Sequence, residues 1–293
     1  MSTLTDTPQQ VRDLPLPARN EYLLRRFDLA PRKSLGQNFL INEGATERIS
    51  EAAAAPGEPL LEIGGGLGAL TVPLSRTGLP LTVVEFDAGA GAALAWLLGD
   101  LPHVRLIQQD FMRLDLAETM PHPCTAAGNL PYQAGTAILQ KLWAPGSPCR
   151  LIVAMVQKEV ADRLRTGPGS KAYGPLSLLA ALHVEEIRVV SQLGPESFSP
   201  PPKVNSTVLS MRRREGFPEG VQNYDSMLAA IRGAFGSRRK TLANSLRLTL
   251  GLTPEQVVTV LRRARLDGRR RGETLTLAEF IQLGNSLYAL GAD

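Results

Sequence analysis

From Leu60 onward, short apolar runs alternate with longer segments of helical composition. The runs are Leu60–Ile63, Leu81–Glu85, Val104–Gln109, Thr125–Ala127 and Leu151–Val156, and Leu67–Arg76, Ala88–Leu98 and Gly135–Trp143 lie between them. Strands that alternate with helices are joined by right-handed crossovers, so this pattern predicts an α/β fold with a doubly wound, mostly parallel sheet. Two later β-rich runs, His183–Val190 and Ser206–Arg212, are expected to complete the sheet with an antiparallel edge. Past Arg214 the period changes. Glu215–Gly220 is rich in breakers, and Ser226–Phe235, Arg239–Leu250, Pro254–Arg263 and Leu277–Leu290 carry apolar residues three and four apart. Thr253-Pro254 adds an N-cap followed by proline at the first helical position. A small all-helical domain is therefore expected over 215–293, after an α/β domain over 31–214. Residues 1–30 read as a polar, proline-containing tail with a short helix near Asn20–Asp28, and Pro31–Leu40 reads as an irregular loop.

Composition narrows the class. With 293 residues, 43% of them hydrophobic and 20% charged, the chain is neither disordered nor fibrous. No run approaches the roughly 18 apolar residues that cross a bilayer. The N-terminus lacks the basic start and apolar core of a secretory signal, so a cytoplasmic protein is expected. Two cysteines and three scattered histidines argue against a disulfide framework or a zinc site, and no metal is expected. The charge is uneven. Residues 212–293 carry 14 lysines and arginines against 8 acidic residues, whereas residues 1–211 carry 18 against 20. A basic helical domain beside a nearly neutral α/β domain is a candidate for holding a polyanion, with a solvated charged surface as the alternative.

Two stretches carry chemistry. The first strand runs directly into Gly64-Gly65-Gly66-Leu67-Gly68, where glycines let the backbone approach a ligand at the carboxyl edge of the sheet. The next strand ends in Glu85, at the place for an acid that accepts hydrogen bonds from ribose hydroxyls, and a third ends beside Asp110. Three strand ends thus converge on a nucleoside-shaped site. The loose pattern Gly64-x-Gly66-x-x-Ala69 also admits a nicotinamide dinucleotide, whereas Glu62-x-Gly64-x-Gly66-x-Gly68 is the form associated with S-adenosylmethionine.

The fourth strand ends in Gly128-Asn129-Leu130-Pro131-Tyr132. Proline stiffens the turn, so the Asn129 side-chain oxygen and the Leu130 carbonyl can converge on a planar amino group bearing two hydrogens. Tyr132 offers a face on which a flat base stacks. The plainer alternative is a loop in which Asn129 caps a helix and Tyr132 packs. Farther on, Phe198-Ser199-Pro200-Pro201-Pro202-Lys203-Val204 presents one aromatic ring as a second wall for a base and one cation, Lys203, for a phosphate; a plain linker is equally compatible.

These motifs together resemble the ribosomal RNA adenine dimethyltransferase family, and within it the bacterial small-subunit type. The likeness runs from about Arg32 to Leu287. It includes Lys33–Leu40, the glycine turn, Gly128–Tyr132, Gln157–Leu164, Pro168–Gly174, Phe198–Val204 and Phe235–Leu242. The resemblance implies a Rossmann-like methyltransferase domain over 31–214 that uses S-adenosylmethionine, and an RNA-binding helical domain over 215–293. It implies that Asn38 and Leu40 border the methionine end of the cofactor, Gly64 its methionine and ribose part, Glu85 its ribose hydroxyls, Asp110 its adenine amino group, and Asn129 the reacting centre. The implied reaction transfers two methyl groups to each of two adjacent adenines in a terminal hairpin of small-subunit RNA, late in assembly. Arg238, Arg239, Lys240, Arg269, Arg270 and Arg271 are the cations expected to meet its phosphates. A monomer is expected. Two stretches depart from the family pattern. Gly65 stands where proline is common, which is expected to loosen the turn, and Gln133-Ala134-Gly135-Thr136-Ala137 alters the pocket rim. The alternatives are the antibiotic-resistance type acting on large-subunit RNA, and a non-catalytic assembly or transcription factor on the same fold.

Overall fold

The computed structural model describes residues 6–31, 38–237 and 239–292. The chain divides into two compact units, Met1–Ala161 with Glu185–Arg213, and Asp162–Val184 with Arg214–Asp293.

The first unit is built on a sheet of seven strands. In chain order these are β2 (Leu60–Ile63), β3 (Leu81–Glu85), β4 (Val104–Gln108), β5 (Cys124–Asn129), β6 (Cys149–Gln157), β7 (Val184–Leu193) and β9 (Ser206–Arg213), arranged β4-β3-β2-β5-β6-β9-β7. The five strands from β4 to β6 run parallel, and β9 pairs antiparallel with β6. All four residues of β2 are buried, as a central parallel strand with both faces covered requires. The chain winds outward from β2 through β3 to β4, then returns to lay β5 against the other side of β2. That reversal makes β2 and β5 the switch point of the sheet, where a crevice opens beyond their carboxyl ends. A separate two-stranded ribbon pairs β1 (Phe39–Leu40) with β8 (Phe198–Ser199), with Leu40 opposite Phe198. Helices α3 (Glu43–Ala54), α5 (Ala88–Leu98) and α7 (Gly135–Trp143) pack on the sheet, and α5 is capped by the Asp87 side chain.

Three expectations need correction, and one element was not anticipated. Residues 8–19 are not a tail, and the short helix expected near Asn20–Asp28 begins earlier, at Leu16. Helices α1 (Pro8–Arg12) and α2 (Leu16–Arg26) are folded, with Val11 and Leu16 buried. Arg12 pins α1 by donating to Asp100 at 2.6 and 2.7 Å and to the carbonyl of Leu97 at the end of α5. Leu67–Arg76 is helical only as α4 (Thr71–Ser75), because Gly68 takes the left-handed conformation with φ of 80°. The α3 segment, given no element in the sequence reading, is a helix capped by Asn42. The boundary at residue 214 is also incomplete, since Asp162–Val184, including α9 (Pro175–His183), clusters with the helical unit.

That unit contains α10 (Tyr224–Phe235), α11 (Leu242–Leu250), α12 (Pro254–Ala264) and α13 (Leu277–Ala292) around a core with Leu178, Leu246, Val260 and Phe280. Thr253 and Gln256 form a reciprocal cap at the start of α12. Among the described residues no helix is long and apolar enough to cross a membrane.

Candidate active site

The crevice at the switch point is a cavity of about 330 Å³, in the range of small-molecule sites. Its walls come from the carboxyl ends of β2, β3, β4 and β5 and from the β1–β8 ribbon. Of the residues singled out from sequence, Asn38, Gly64, Glu85, Asp110, Asn129, Leu130, Pro131, Tyr132 and Phe198 all line it.

The glycine turn is held by a carboxylate. Gly64 and Gly66 have φ of 76° and 56°, which side-chain-bearing residues rarely adopt. The Gly66 N–H donates to Glu85 Oε2 at 2.8 Å, while the Asp87 N–H donates to Oε1 at 2.7 Å. Burial pushes the Glu85 carboxyl above its ordinary range, and these backbone donors pull it back. Each oxygen retains a lone pair for a ligand hydroxyl. Behind the turn, Glu62 is 1% exposed and its Oε2 has no hydrogen-bond partner among the described residues. Burial pushes its carboxyl up to about 8, so it is a neutral acid at pH 7. Gly65, expected to loosen the turn, has side chains packed directly behind it. A Cβ there would lie 2.7 Å from Val83 Cγ1 and 2.8 Å from Leu94 Cδ1, so the bare backbone is wedged against the layer behind it.

At the end of β5, a Cβ on Gly128 would meet the Ile63 carbonyl oxygen at 2.7 Å, so glycine lets β5 press on β2 and brings Asn129 to the crevice. Asn129 Nδ2 donates to the Asn38 carbonyl over a long 3.5 Å, which leaves its Oδ1 as acceptor. The N–H groups of Ala134 and Gly135 both donate to the Pro131 carbonyl, at 3.1 and 2.8 Å. They tie the loop to α7, which has no side-chain cap because Ala134 occupies the N-cap.

Several expected residues lie elsewhere. Leu40 is not in the lining. It is 1% exposed in the core, and its carbonyl accepts from Asn20 Nδ2 at 3.2 Å. Lys203 is exposed and outside the cavity. Lys33–Gln37 and Arg238 lie outside the described residues. In the helical unit Arg239 and Lys240 are exposed. The arginine run is largely paired: Arg269 with Asp267 at 3.0 Å, Arg270 with Glu279, and Arg271 with Glu273 at 4.0 Å.

Phe86, Phe111 and Met112 line the cavity without having been singled out, and Phe86 is 64% exposed. The signal was their position. Each follows within two residues of an acid at a strand end, where an apolar side chain facing a cavity covers the flat part of a ligand whose polar edge meets the acid. The lining among the described residues contains carboxylates and amides but no histidine, lysine, arginine or cysteine.

A doubly wound sheet with an acid-held glycine turn and an Asn-Leu-Pro-Tyr loop at one switch point defines a Rossmann-like methyltransferase. The chain belongs to the ribosomal RNA adenine dimethylase family, whose model matches residues 29–283. It is 37% identical over 289 residues to ribosomal RNA small subunit methyltransferase A of Geobacillus thermodenitrificans, covering 95% of this chain and 98% of the relative. It is 39% identical over 274 residues to the protein of that name from Geobacter sulfurreducens, covering 92% and 99%. Two solved structures share the fold. A dimethyladenosine transferase from Plasmodium falciparum matches with a TM-score of 0.70 at 22% identity, over 86% of this chain and 98% of its own. The 23S rRNA methyltransferase ErmE matches with a TM-score of 0.60 at 23% identity, over 86% and 100%.

Proposed function

We propose that this enzyme transfers methyl groups from S-adenosylmethionine to the exocyclic amino groups of two adjacent adenines in the 3′-terminal hairpin of small-subunit ribosomal RNA, during late subunit assembly in the cytoplasm. The observation that carries this reading is the meeting of Glu85 and Asn129 in one cavity at the switch point. The small-subunit names of its relatives favour that substrate over large-subunit RNA.

The residues fit the cofactor. Glu85 has lone pairs for the ribose hydroxyls, Asp110 an oxygen for the adenine amino group, Asn38 and Gly64 border the methionine end, and Phe86 offers an apolar face. Bound there, S-adenosylmethionine supplies an electrophilic methyl group on a sulfonium.

The chain's own part is to hold the acceptor. Tyr132 offers its ring to a base splayed out of its loop, at an unstacking cost of a few kcal/mol, while Phe198, expected as a second stacking wall, is 3% exposed in the core and only backs the cavity. An adenine amino group is a poor nucleophile because its lone pair is delocalised into the ring. Asn129 Oδ1 and the Leu130 carbonyl accept its two hydrogens, which favours the pyramidal nitrogen and frees that pair for the methyl. The resulting cationic amine sheds its proton to water, so no side-chain base is required, in keeping with a lining that holds no histidine among the described residues. Exposed Lys203, Arg239 and Lys240, with Arg238, are the cations for RNA phosphates. The enzyme acts as a monomer.

Mass spectrometry of small-subunit RNA from cells with and without the gene tests this reading. Loss of dimethyladenosine from the terminal hairpin supports it; an unchanged hairpin with methylation lost from large-subunit RNA contradicts it.

A further inference from the structure

Lys141, half-buried on α7, takes no part in the chemistry above. Its ammonium donates to three backbone carbonyls: Phe111 at 2.8 Å, Met112 at 2.9 Å and Leu114 at 2.5 Å. An ammonium has three protons, and all three are used. The nitrogen also lies 5.2 Å from the centre of the Phe111 ring. They belong to the first two residues of the 3-10 turn Phe111–Arg113 and to its C-cap, Leu114; the Phe111 carbonyl also accepts from the Leu114 N–H at 3.2 Å, so the ammonium binds where the turn closes. The opposite end of the turn is held by Asp110, which accepts from the Met112 N–H at 2.9 Å. A carboxylate and an ammonium thus clamp the turn from both ends. Asp110 and Asp115 favour the charge that burial of Lys141 opposes.

What the clamp joins gives it a role. Phe111 and Met112 form one wall of the cavity, and Ile138, one turn before Lys141 on α7, belongs to another. The same helix starts immediately after the Asn129–Tyr132 loop and is bonded to it through the Pro131 carbonyl. The geometry points to Lys141 as a positioning residue that fixes the Asp110–Leu114 wall against the helix of the acceptor loop and so sets affinity for the cofactor. The inference rests on the reading of this cavity as the S-adenosylmethionine site. Met112 is exposed whereas Phe111 and Leu114 are buried, so water reaches the Met112 carbonyl first when the ammonium is removed. The fold then survives while the wall loosens.

Lys141→Met keeps the stem and removes the donors. Lys141→Arg keeps the charge, but its planar fork cannot converge on three carbonyls in the same way. Calorimetry with S-adenosylmethionine, melting of the free protein, and steady-state methylation separate the possibilities. Lys141→Met is expected to bind about tenfold more weakly, with KM for the cofactor raised to match, kcat within about twofold and melting within a few degrees; Lys141→Arg falls between it and wild type. Faster amide exchange at Met112 and Leu114 in Lys141→Met is the accompanying expectation. Wild-type affinity in Lys141→Met overturns the inference. So does a fall in melting temperature with unchanged affinity of the folded fraction, which leaves Lys141 a scaffold role only. If wild type binds no S-adenosylmethionine, the reading of the cavity fails instead.

Discussion

The Glu85 carboxylate accepts a 2.8 Å hydrogen bond from the backbone N–H of Gly66. One acid, one strand away, therefore shapes the glycine turn before any ligand arrives. Glu85→Ala removes this support together with the acceptors offered to a ribose. Charge-assisted bonds of this kind contribute about 1.5–3 kcal/mol each. Cofactor affinity is expected to fall tenfold or more by calorimetry, and melting temperature to drop because the buried Asp87 N–H and the half-buried Gly66 N–H lose their partner. Unchanged affinity would place the ribose elsewhere.

Glu62 makes stability depend on pH. Its folded value of about 8 lies above the ordinary 4.5, so the folded chain keeps a proton that the unfolded chain has lost. Its contribution is complete below pH 4.5 and disappears as pH rises toward 8. Glu62→Gln removes this dependence. The variant is expected to gain on wild type by about 1 kcal/mol per pH unit between pH 5 and 8, read from urea unfolding. A gap that does not change with pH would show that Glu62 is ionised in the folded protein.

The basic residues of the helical unit are expected to separate into two kinds. Replacing exposed Arg239 and Lys240 with glutamine, along with Arg238, should flatten the salt dependence of RNA binding through lost counterion release, and leave cofactor binding intact. Arg270→Gln should act chiefly on melting, because its guanidinium is held by Glu279 and by the Thr274 carbonyl at 2.7 Å. Equal salt slopes in wild type and the triple variant would reduce the first cluster to a structural role.

Much of the site was legible in the sequence because parallel strands write it plainly. β2 and β3 match the apolar runs residue for residue, and residues at consecutive strand ends must meet at one edge of the sheet. What was not legible depended on tertiary partners. The polar, proline-broken stretch before Asn20 gave no sign that Arg12 would be buried at the end of α5. Leu40 sits two residues from Asn38, yet it is 1% exposed and packs into the core, a burial set by tertiary neighbours that the spacing alone does not show. Gly65 reads as slack in a glycine run until Val83 and Leu94 are seen behind it. Asp162–Val184 lies between two strands of the sheet in sequence, yet Tyr173 bonds the Leu275 carbonyl at 2.9 Å in the helical unit.

In the proposed reaction Asn129 and the Leu130 carbonyl activate the amino group as acceptors, without a side-chain base. Single-turnover methylation across pH 6.5–9, for wild type and Asn129→Ala at saturating cofactor and RNA, tests it most directly. The expected result is a rate at least a hundredfold lower in the variant, with modest loss of cofactor and RNA affinity and a small residual rate from the Leu130 carbonyl. Wild type should show no dependence on a single side-chain titration near neutrality. A variant with near-normal rates, or a wild-type rate that follows one such titration, would contradict the claim.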